Sequence, residues 1–345
     1  MILATREFFL ISLLNGVSYG LLLFMLSAGL TLIFSMMGVL NFAHASFYML
    51  GAYLGYSLSS LWGFVPALIL APLGVGLLGA AFEKWFLRRV HAHGHVPELL
   101  ITFGLTYVVL EVVQLLWGRA AVPFAPPPWL QGPAFTLIGG GHFADLQLVW
   151  GTAPDTVCQG PAVCSPFPAT RAFMMGVALA MVLSLWALIT HTRVGLVIQA
   201  ALTHPQAVQT LGHNVPRVFM WVFGVGTGLA ALAGVIGGST FVTEPSMAAT
   251  VGTVTFVVIV IGGLGSLAGA FWASVLMGTV QTMAVAIDLS LSDLWLALGL
   301  PVLASAATSS WMTMTLAQTA PILPYLILVL MLMVRPRGLM GTREG

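Results

Sequence analysis

Long apolar runs separated by short polar stretches dominate this chain. A helix needs about 20 apolar residues to cross the hydrocarbon of a bilayer, and most of the runs reach that length. They lack the apolar–polar alternation of a membrane barrel strand. The pattern predicts an all-α, polytopic integral membrane protein with about eight transmembrane helices. The eight runs are Phe8–Met37, Phe42–Leu61, Phe64–Phe82, Leu99–Trp117, Ala172–Ile189, Val218–Ile236, Val251–Met283 and Ile322–Val334.

Two regions of this pattern contain an interruption rich in small residues, Gly38–His44 and Gly262–Gly269. Interrupted apolar segments at matching places in two halves are typical of transport folds with internal repeats. Small residues also let helices pack closely, and several glycine pairs spaced four apart fit that simpler interpretation. Both interpretations stay open, and the sequence predicts one or two broken segments. The glycine pairs are Gly16/Gly20, Gly51/Gly55, Gly224/Gly228 and Gly265/Gly269.

Composition supports a lipid environment and gives the chain a direction. Only 6% of the 345 residues are charged and 59% are apolar, whereas soluble domains carry about a quarter charged residues. Loops rich in Lys and Arg stay on the cytoplasmic side. The chain is therefore predicted to be one transmembrane domain, residues 1–345, with a cytoplasmic C-terminus and an external loop at 119–171. The basic residues lie at Lys84, Arg88 and Arg89, at Arg193 and Arg217, and at Arg335, Arg337 and Arg343.

Both cysteines of the chain, Cys158 and Cys164, fall in the predicted external loop. Two cysteines close in sequence in an oxidising compartment favour a disulfide. The alternative is a pair of free thiols in a surface loop.

Carboxylates inside the predicted spans are candidates for function. Glu111 lies well within the run that begins at Leu99, and a carboxylate at such depth faces a cavity or a partner by default. The alternative is a packing role, hydrogen-bonded to Gln114 or Thr106 on the same helical face. Glu244 follows a span and is expected near the outer surface.

The remaining polar residues give no sign of an enzyme. The chain contains no P-loop, no His-Glu-x-x-His and no Gly-x-Ser-x-Gly pattern. His91, His93 and His95 alternate along a cytoplasmic loop, but no thiolate or carboxylate cluster supports a metal site there, and Glu98 stands alone. We therefore expect no metal, no cofactor and no catalytic residues.

The segment 193–217 is the most informative polar stretch between two spans. Its apolar and small positions predict a short amphipathic helix that ends at Gly212, a C-cap residue. Such a helix could anchor the chain at the interface or form a docking surface.

Several motifs in order resemble the LivH-like permeases of branched-chain amino acid ABC importers, a group that also includes urea and amide permeases. The resemblance covers about Asn15 to Gly341. Its motifs are Asn15-Gly-Val-Ser-Tyr-Gly, Leu40-Asn-Phe-Ala-His-Ala, Leu50-Gly-Ala-Tyr, Ile101-Thr-Phe-Gly-Leu, Thr192-Arg-Val-Gly, Ile261-Gly-Gly-Leu-Gly-Ser-Leu-Ala-Gly-Ala and Arg335-Pro-Arg-Gly-Leu-Met-Gly.

The resemblance implies a subunit of a bacterial inner-membrane importer that lines the substrate path and does no ATP chemistry. Its implied partners are a second, LivM-like permease, two ATP-binding cassette ATPases and a periplasmic substrate-binding protein. The ATPases would dock on Ala200–Asn214, where Gln206 replaces the Glu usual in the family, so shape should matter more than charge. The external stretch Val122–Pro168 looks longer than is usual. The predicted coupling residues are Ala200, Ala201, Gln206, Ala207, Leu211 and Gly212.

The two interruptions are the predicted substrate path. Broken helices leave free backbone groups, which survive in lipid only where they are buried in protein or line a cavity. The cargo would be a branched-chain or other hydrophobic amino acid. The alternative function is an ion-coupled secondary transporter that uses Glu111 or Glu244. The predicted path residues are Asn41, His44, Ser46, Gly262, Gly263, Gly265, Ser266 and Glu111.

Overall fold

A computed structural model describes most of the chain and divides it into two compact units. The described residues are 6–38, 40–91, 93–139, 146–158, 163–287, 289–290, 292–293 and 314–341. The unit that we call the sheet unit comprises Met1–Gly20, Gln131–Ala172 and Val275–Pro336. The other, the core unit, comprises Leu21–Leu130, Phe173–Ser274 and Arg337–Gly345. Each unit combines segments that are distant in sequence, so no single cut in the chain separates them.

Helices make up most of the described chain. In order they are α1 Arg6–Met37, α2 His44–Trp62, α3 Phe64–Phe82, a π-helical stretch Glu83–Leu87, α4 Arg88–His91, α5 His95–Trp117, α6 Asp155–Cys158, α7 Ala169–His191, α8 Arg193–Thr203, α9 Pro205–Thr210, α10 Val215–Thr240, α11 Met247–Gly262, α12 Leu267–Ala286, α13 Leu316–Thr319 and α14 Leu323–Val334. Short 3-10 turns lie at Pro128–Leu130 and Ala320–Ile322.

The helices confirm the predicted polytopic membrane fold. Among the described residues, seven helical segments are long and apolar enough to cross a membrane, and α11 is a shorter apolar helix. The Pro-interrupted apolar stretch Leu294–Ala304, whose length in the sequence is too short for a span, lies outside the described residues. The seven segments are Glu7–Met37, Phe64–His91, His95–Trp117, Ala169–His191, Val215–Thr240, Leu267–Ala286 and Leu316–Val334.

Both predicted interruptions are real helix ends. α1 stops at Met37, and Gly38 follows with a φ of +65°. The run Val251–Met283, which the sequence marks as one span, is two helices, because Gly263 (φ +99°) and Gly265 (φ +83°) turn the chain between α11 and α12. A positive φ is strained for residues with a Cβ, so glycine at these points ends the helix.

Close packing around α10 forms the interior of the core unit. A Cβ on Gly51 of α2 would lie 2.4 Å from the Cα of Ala231, and one on Gly29 of α1 would lie 2.3 Å from the carbonyl oxygen of Gly226. In lipid, van der Waals contact between close backbones replaces the hydrophobic effect as the drive for helix association. The packing interpretation of the small residues therefore holds at these positions.

The sheet unit contains a three-stranded antiparallel sheet within the stretch predicted as an external loop. Its strands are β1 Pro133–Gly139, β2 Gln147–Trp150 and β3 Val163–Pro168, with β1 in the centre. Proline is confined to edge strands and strand ends because it cannot donate to the ladder. Pro166 and Pro168 in the edge strand β3 obscured the strand pattern in the sequence.

Candidate functional site

The first interruption buries the polar residues predicted to line the path. Asn41, His44 and Ser46 are all buried, while Phe42 is 44% exposed and stacks on Phe256 at a ring distance of 5.9 Å. Asn41 Oδ1 accepts a hydrogen bond from the Ala43 amide at 3.1 Å, which fixes the turn before α2. The accessible side chain of this interruption is therefore apolar.

His44 ties the start of α2 to α1. Its Nε2 lies 2.9 Å from the carbonyl oxygen of Leu26, so Nε2 is the donor. At this interruption, three further polar side-chain atoms are buried without a hydrogen-bond partner among the described residues: Asn41 Nδ2, His44 Nδ1 and Ser46 Oγ.

The second interruption is covered by the end of the chain. The Leu339 amide donates to the Ile261 carbonyl at 2.7 Å, and the Met340 amide donates to the Gly262 carbonyl at 3.0 Å. A Cβ on Gly263 would lie 2.5 Å from the Gly341 nitrogen. The last carbonyls of a helix have no partner within it. Here the segment Arg337–Gly341, which we call the tail, supplies the donors.

The other path residues of this interruption shape the helix ends. Ser266 Oγ accepts from the Gly269 amide at 3.1 Å, an N-cap for α12. A Cβ on Gly262 would lie 2.5 Å from the carbonyl carbon of Gly269, so α11 and α12 touch backbone to backbone. Gly265 and Ser266 are half-buried, and Leu264 is exposed.

The structure brings the two interruptions together at one end of the core unit. A Cβ on Gly265 would lie 3.6 Å from the Cβ of Ser35, in the last turn of α1. One on Gly38 would lie 3.9 Å from Cε1 of His95, the first residue of α5. Glu111 is not part of this group, because it lies ~24 Å further along α5 at 1.5 Å per residue, on an exposed face.

Glu98 was expected to stand alone, but in the structure it has two histidine partners. It is buried, and its carboxylate is hydrogen-bonded to Nδ1 of His91 and, at 3.3 Å, to Nδ1 of His95. That expectation was wrong because α4 and α5 fold back on each other through the intervening turn. In the described ranges, no group of three or more His, Cys, Asp and Glu side chains is placed to hold a metal ion.

A second buried carboxylate, Glu83 in the π-helical stretch after α3, is linked to α10 through Arg88. The Arg88 guanidinium donates to Glu83 at 2.8 Å and, through the same Nη2, to the carbonyl oxygen of Pro216 at 2.6 Å. Pro216 belongs to the first turn of α10, directly after the predicted coupling segment. This link was not predicted from the sequence. Its available signal was the pair Glu83 and Arg88, five residues apart, and nothing in the sequence pointed to Pro216.

The predicted coupling helix is two helices. α8 begins at the N-cap Thr192, whose Oγ1 accepts from the Gly195 amide at 3.1 Å, and it ends before His204. α9 follows because Pro205 suits the first position of a new helix but not the interior of an old one. The C-cap of α9 is Leu211, and Gly212, with a φ of +88°, turns the chain one position beyond it, so the predicted C-cap is off by one residue.

Most of the predicted coupling residues are exposed. Ala200, Gln206, Ala207 and Gly212 are on the surface, and Leu211 is 78% exposed. Ala201, at 2% exposed, instead packs inward. A cavity of about 450 Å³ lies between these helices and the Glu83–Arg88 pair, and it is lined in part by Ala201 and Gln206.

The remaining candidates are the two cysteines and Glu244. Cys158 and Cys164 are joined by a disulfide in the structure, and Cys164 belongs to the edge strand β3 of the sheet unit. Glu244 is half-buried in the turn between α10 and α11, where its carboxylate accepts a hydrogen bond from the Ser246 hydroxyl.

Comparison with known proteins gives a family across almost the whole chain. A family model described as "Branched-chain amino acid transport system / permease component" matches residues 12–332. No solved structure matches the chain.

Curated relatives agree with the family model. The chain is 24% identical to the "High-affinity branched-chain amino acid transport system permease protein LivH" of Escherichia coli K12, over 98% of this chain and 97% of that protein. It is 23% identical to the Pseudomonas aeruginosa permease protein BraD, over 97% of each chain. It is 25% identical to a probable LivH of Methanocaldococcus jannaschii, over 78% of this chain and 79% of that protein. The chain belongs to the family of permease components of branched-chain amino acid transport systems.

Proposed function

We propose that this chain is the membrane-spanning permease subunit of an ATP-driven importer in a bacterial inner membrane. Its cargo is branched-chain or other hydrophobic amino acids. The observation that carries the proposal is the exposed pair of helices α8–α9, set between two candidate spans, α7 and α10. A second, LivM-like permease, two ATPases and a periplasmic binding protein complete the transporter, and the ATPases hydrolyse the ATP.

The positions of the basic residues support a cytoplasmic location for this end of the core unit and for the C-terminus. Arg88 is bonded to Pro216, which brings the Lys84–Arg89 group beside the α8–α9 segment. The tail packs at the second interruption, which adjoins the first one and the start of α5. Three separate basic stretches therefore gather at one end, as the positive-inside rule requires of cytoplasmic loops.

The proposed coupling route runs from α8–α9 into the spans. Small side chains such as Ala207 let an ATPase surface approach closely, and Leu211 offers an exposed apolar contact. A displacement of α9 reaches α10 directly through the chain and α3 through the Arg88 bridge. Because the Arg88 side chain is 35% exposed, each of these contacts contributes only about 1 kcal/mol or less, but together they link the two elements.

The proposed substrate path passes the two interruptions. Exposed Phe42 and Leu264 offer apolar surface for an aliphatic cargo side chain, and Gly265 and Ser266, which follow Leu264 in the chain, are half-buried. We propose that this surface faces the second permease. The buried Asn41 and His44 act behind it, by holding the turn in place.

Reconstitution tests the proposal. Vesicles with both permeases, both ATPases and the binding protein should take up leucine only when ATP is present on the side of the membrane that carries the ATPases. Ala207→Asp should lower substrate-stimulated ATPase activity at least tenfold at unchanged membrane abundance, because docking would bury an unpaired charge. Ala207→Ser is the matched control and should retain activity. Ala207 is preferable to Gly212, whose φ of +88° would strain any other residue. Normal coupling in Ala207→Asp would remove α8–α9 as the docking segment.

The second candidate, an ion-coupled transporter, is favoured by one observation. Glu111 is exposed on α5, a candidate span that packs little against the rest of the described chain. ATP-free vesicles that contain this chain alone decide between the two functions. Uptake driven by a proton or sodium gradient and lost in Glu111→Gln would replace the importer proposal.

A further inference from the structure

An apolar groove lies beside α8 in the core unit. Its volume is about 570 Å³, within the range of ~300–1,000 Å³ that is usual for small-molecule sites. One wall is a stripe on α10 that includes Val218, Trp221 and Val225, and the facing wall is formed by Val197 and Ile198 of α8.

The groove has a charged end and an apolar body. Arg217 precedes the stripe on α10, and Val225 lies ~12 Å further along the helix at 1.5 Å per residue. Arg193, at the start of α8, and His213, just before α10, also line the groove. Arg217 therefore places positive charge where α10 begins, and Arg193 adds a second positive charge to the groove lining.

These charges are not neutralised within the described chain. The ion pairs of the described residues involve Arg88, His91 and His95, and none involves Arg193 or Arg217. Both arginine side chains are exposed. A ligand that complements the groove must therefore bring negative charge to its mouth and apolar surface to its body.

We propose that this groove binds one anionic phospholipid, with its phosphate between Arg193 and Arg217 and an acyl chain along α10. Basic pockets between helices on the cytoplasmic side of membrane proteins are suited to anionic headgroups. Trp221, 57% exposed on the groove wall, has the amphipathic ring that favours the membrane–water boundary. This site goes beyond the transport function, which requires only the substrate path and the docking segment.

Other occupants fit the groove less well. An amino acid carries an ammonium group, and the groove lining contains no carboxylate to receive it. A soluble ATPase cannot reach Val225, which lies inside the candidate span Val215–Thr240. A lipid satisfies both requirements, because its headgroup stays at the surface while its chain enters the apolar body. Its presence would support α8 against α10 and make coupling dependent on anionic lipid.

Lipid binding to the full-length chain tests the site. Native mass spectrometry with phosphatidylglycerol and phosphatidylcholine should show retained phosphatidylglycerol. The double variant Arg193→Gln/Arg217→Gln should bind it roughly thirtyfold more weakly, since each basic residue near an anionic surface contributes about fivefold. The control Lys84→Gln/Arg89→Gln removes the same charge from exposed positions outside the groove and should bind normally. Equal loss in both double variants would overturn the proposal.

A second measurement does not depend on those variants. Phosphatidylglycerol with brominated acyl chains should quench the fluorescence of Trp221. The Trp221 signal is the difference in fluorescence between the native chain and Trp221→Phe. Val225→Trp should fill the apolar body and reduce retention of phosphatidylglycerol at least fivefold while leaving the arginines in place. Absence of Trp221 quenching, or full retention in Val225→Trp, would reject the groove as a lipid site. If the second permease covers the groove and the assembled pair retains no phosphatidylglycerol, the lipid site is rejected as well.

Discussion

At both interruptions of the core unit, backbone groups at a break between helices receive hydrogen-bond partners, but the partners come from different parts of the chain. At the first, the turn is held by groups close in sequence, the Asn41 side chain and the Ala43 amide. At the second, the last carbonyls of α11 receive their hydrogen bonds from Leu339 and Met340, almost eighty residues later. Free backbone groups are costly in a membrane, so a helix end there needs a partner from somewhere.

The first turn is therefore specified by neighbouring residues, whereas the second depends on a segment near the C-terminus. The first interruption can form as soon as α1 and α2 meet. The second remains incomplete until the tail arrives, because Gly263, Gly338 and Gly341 bring two backbones closer than any side chain would allow. A Cβ on Gly338 would lie 2.5 Å from the Gly263 nitrogen. We therefore expect the second interruption to be far more sensitive to substitution.

Gly263→Leu should have the largest effect. The new side chain would adopt a positive φ and would collide with the Gly341 backbone, with a cost of about 1–3 kcal/mol for strain and a similar amount for overpacking. Thermal unfolding of the purified chain and its abundance in membranes measure the loss. Gly118→Leu is the matched control, because Gly118 has a φ of +86° with open space around it and reports strain alone. Equal losses in the two variants would show that the tail contact adds nothing.

Leu339→Pro should have the next largest effect. Proline has no amide hydrogen, so the Ile261 carbonyl would lose its donor from the tail. A buried acceptor left without its partner costs about 1–3 kcal/mol. Leu339→Ala keeps the amide and separates the hydrogen bond from side-chain packing. The stabilities of the two variants are compared by monitoring their unfolding in detergent through tryptophan fluorescence. A Leu339→Ala variant as unstable as Leu339→Pro would assign the effect to the side chain.

Sequence reasoning found what is local and missed what is remote. Most apolar runs predicted candidate spans, although Phe42–Leu61 is not among the seven and Val251–Met283 is two helices. Gly38, Gly263 and Gly212 marked chain turns correctly because positive φ favours glycine at each of them. The tail and the Arg88–Pro216 bond were not predicted, because their partners lie 78 and 128 residues away, and a single sequence holds no signal for such pairs.

The same limit applies to the candidate site. Exposure of Ala207 and Leu211 agrees with a docking surface, but burial of Ala201 could be seen only once α8 was placed. The split of the coupling segment at His204 was readable in principle, because Pro205 disfavours a continuous helix. The path residues remain predictions. Their burial at the first interruption reflects helix packing that depends on α10 as a whole.

The smallest effect is expected at the first interruption, from His44→Leu. This substitution removes one buried hydrogen bond to the Leu26 carbonyl, which typically contributes about 0.5–1.5 kcal/mol, and the apolar replacement needs no partner. Ser46→Ala is the companion variant. It removes a buried hydroxyl that lacks a partner in the described structure and should be neutral or slightly stabilising. Unfolding and leucine uptake are measured for both. If turn geometry is what His44 supplies, uptake and stability fall together in His44→Leu and both persist in Ser46→Ala. Loss of uptake in Ser46→Ala at full stability would instead place the Ser46 hydroxyl in contact with the cargo and overturn a purely supporting role for the buried residues.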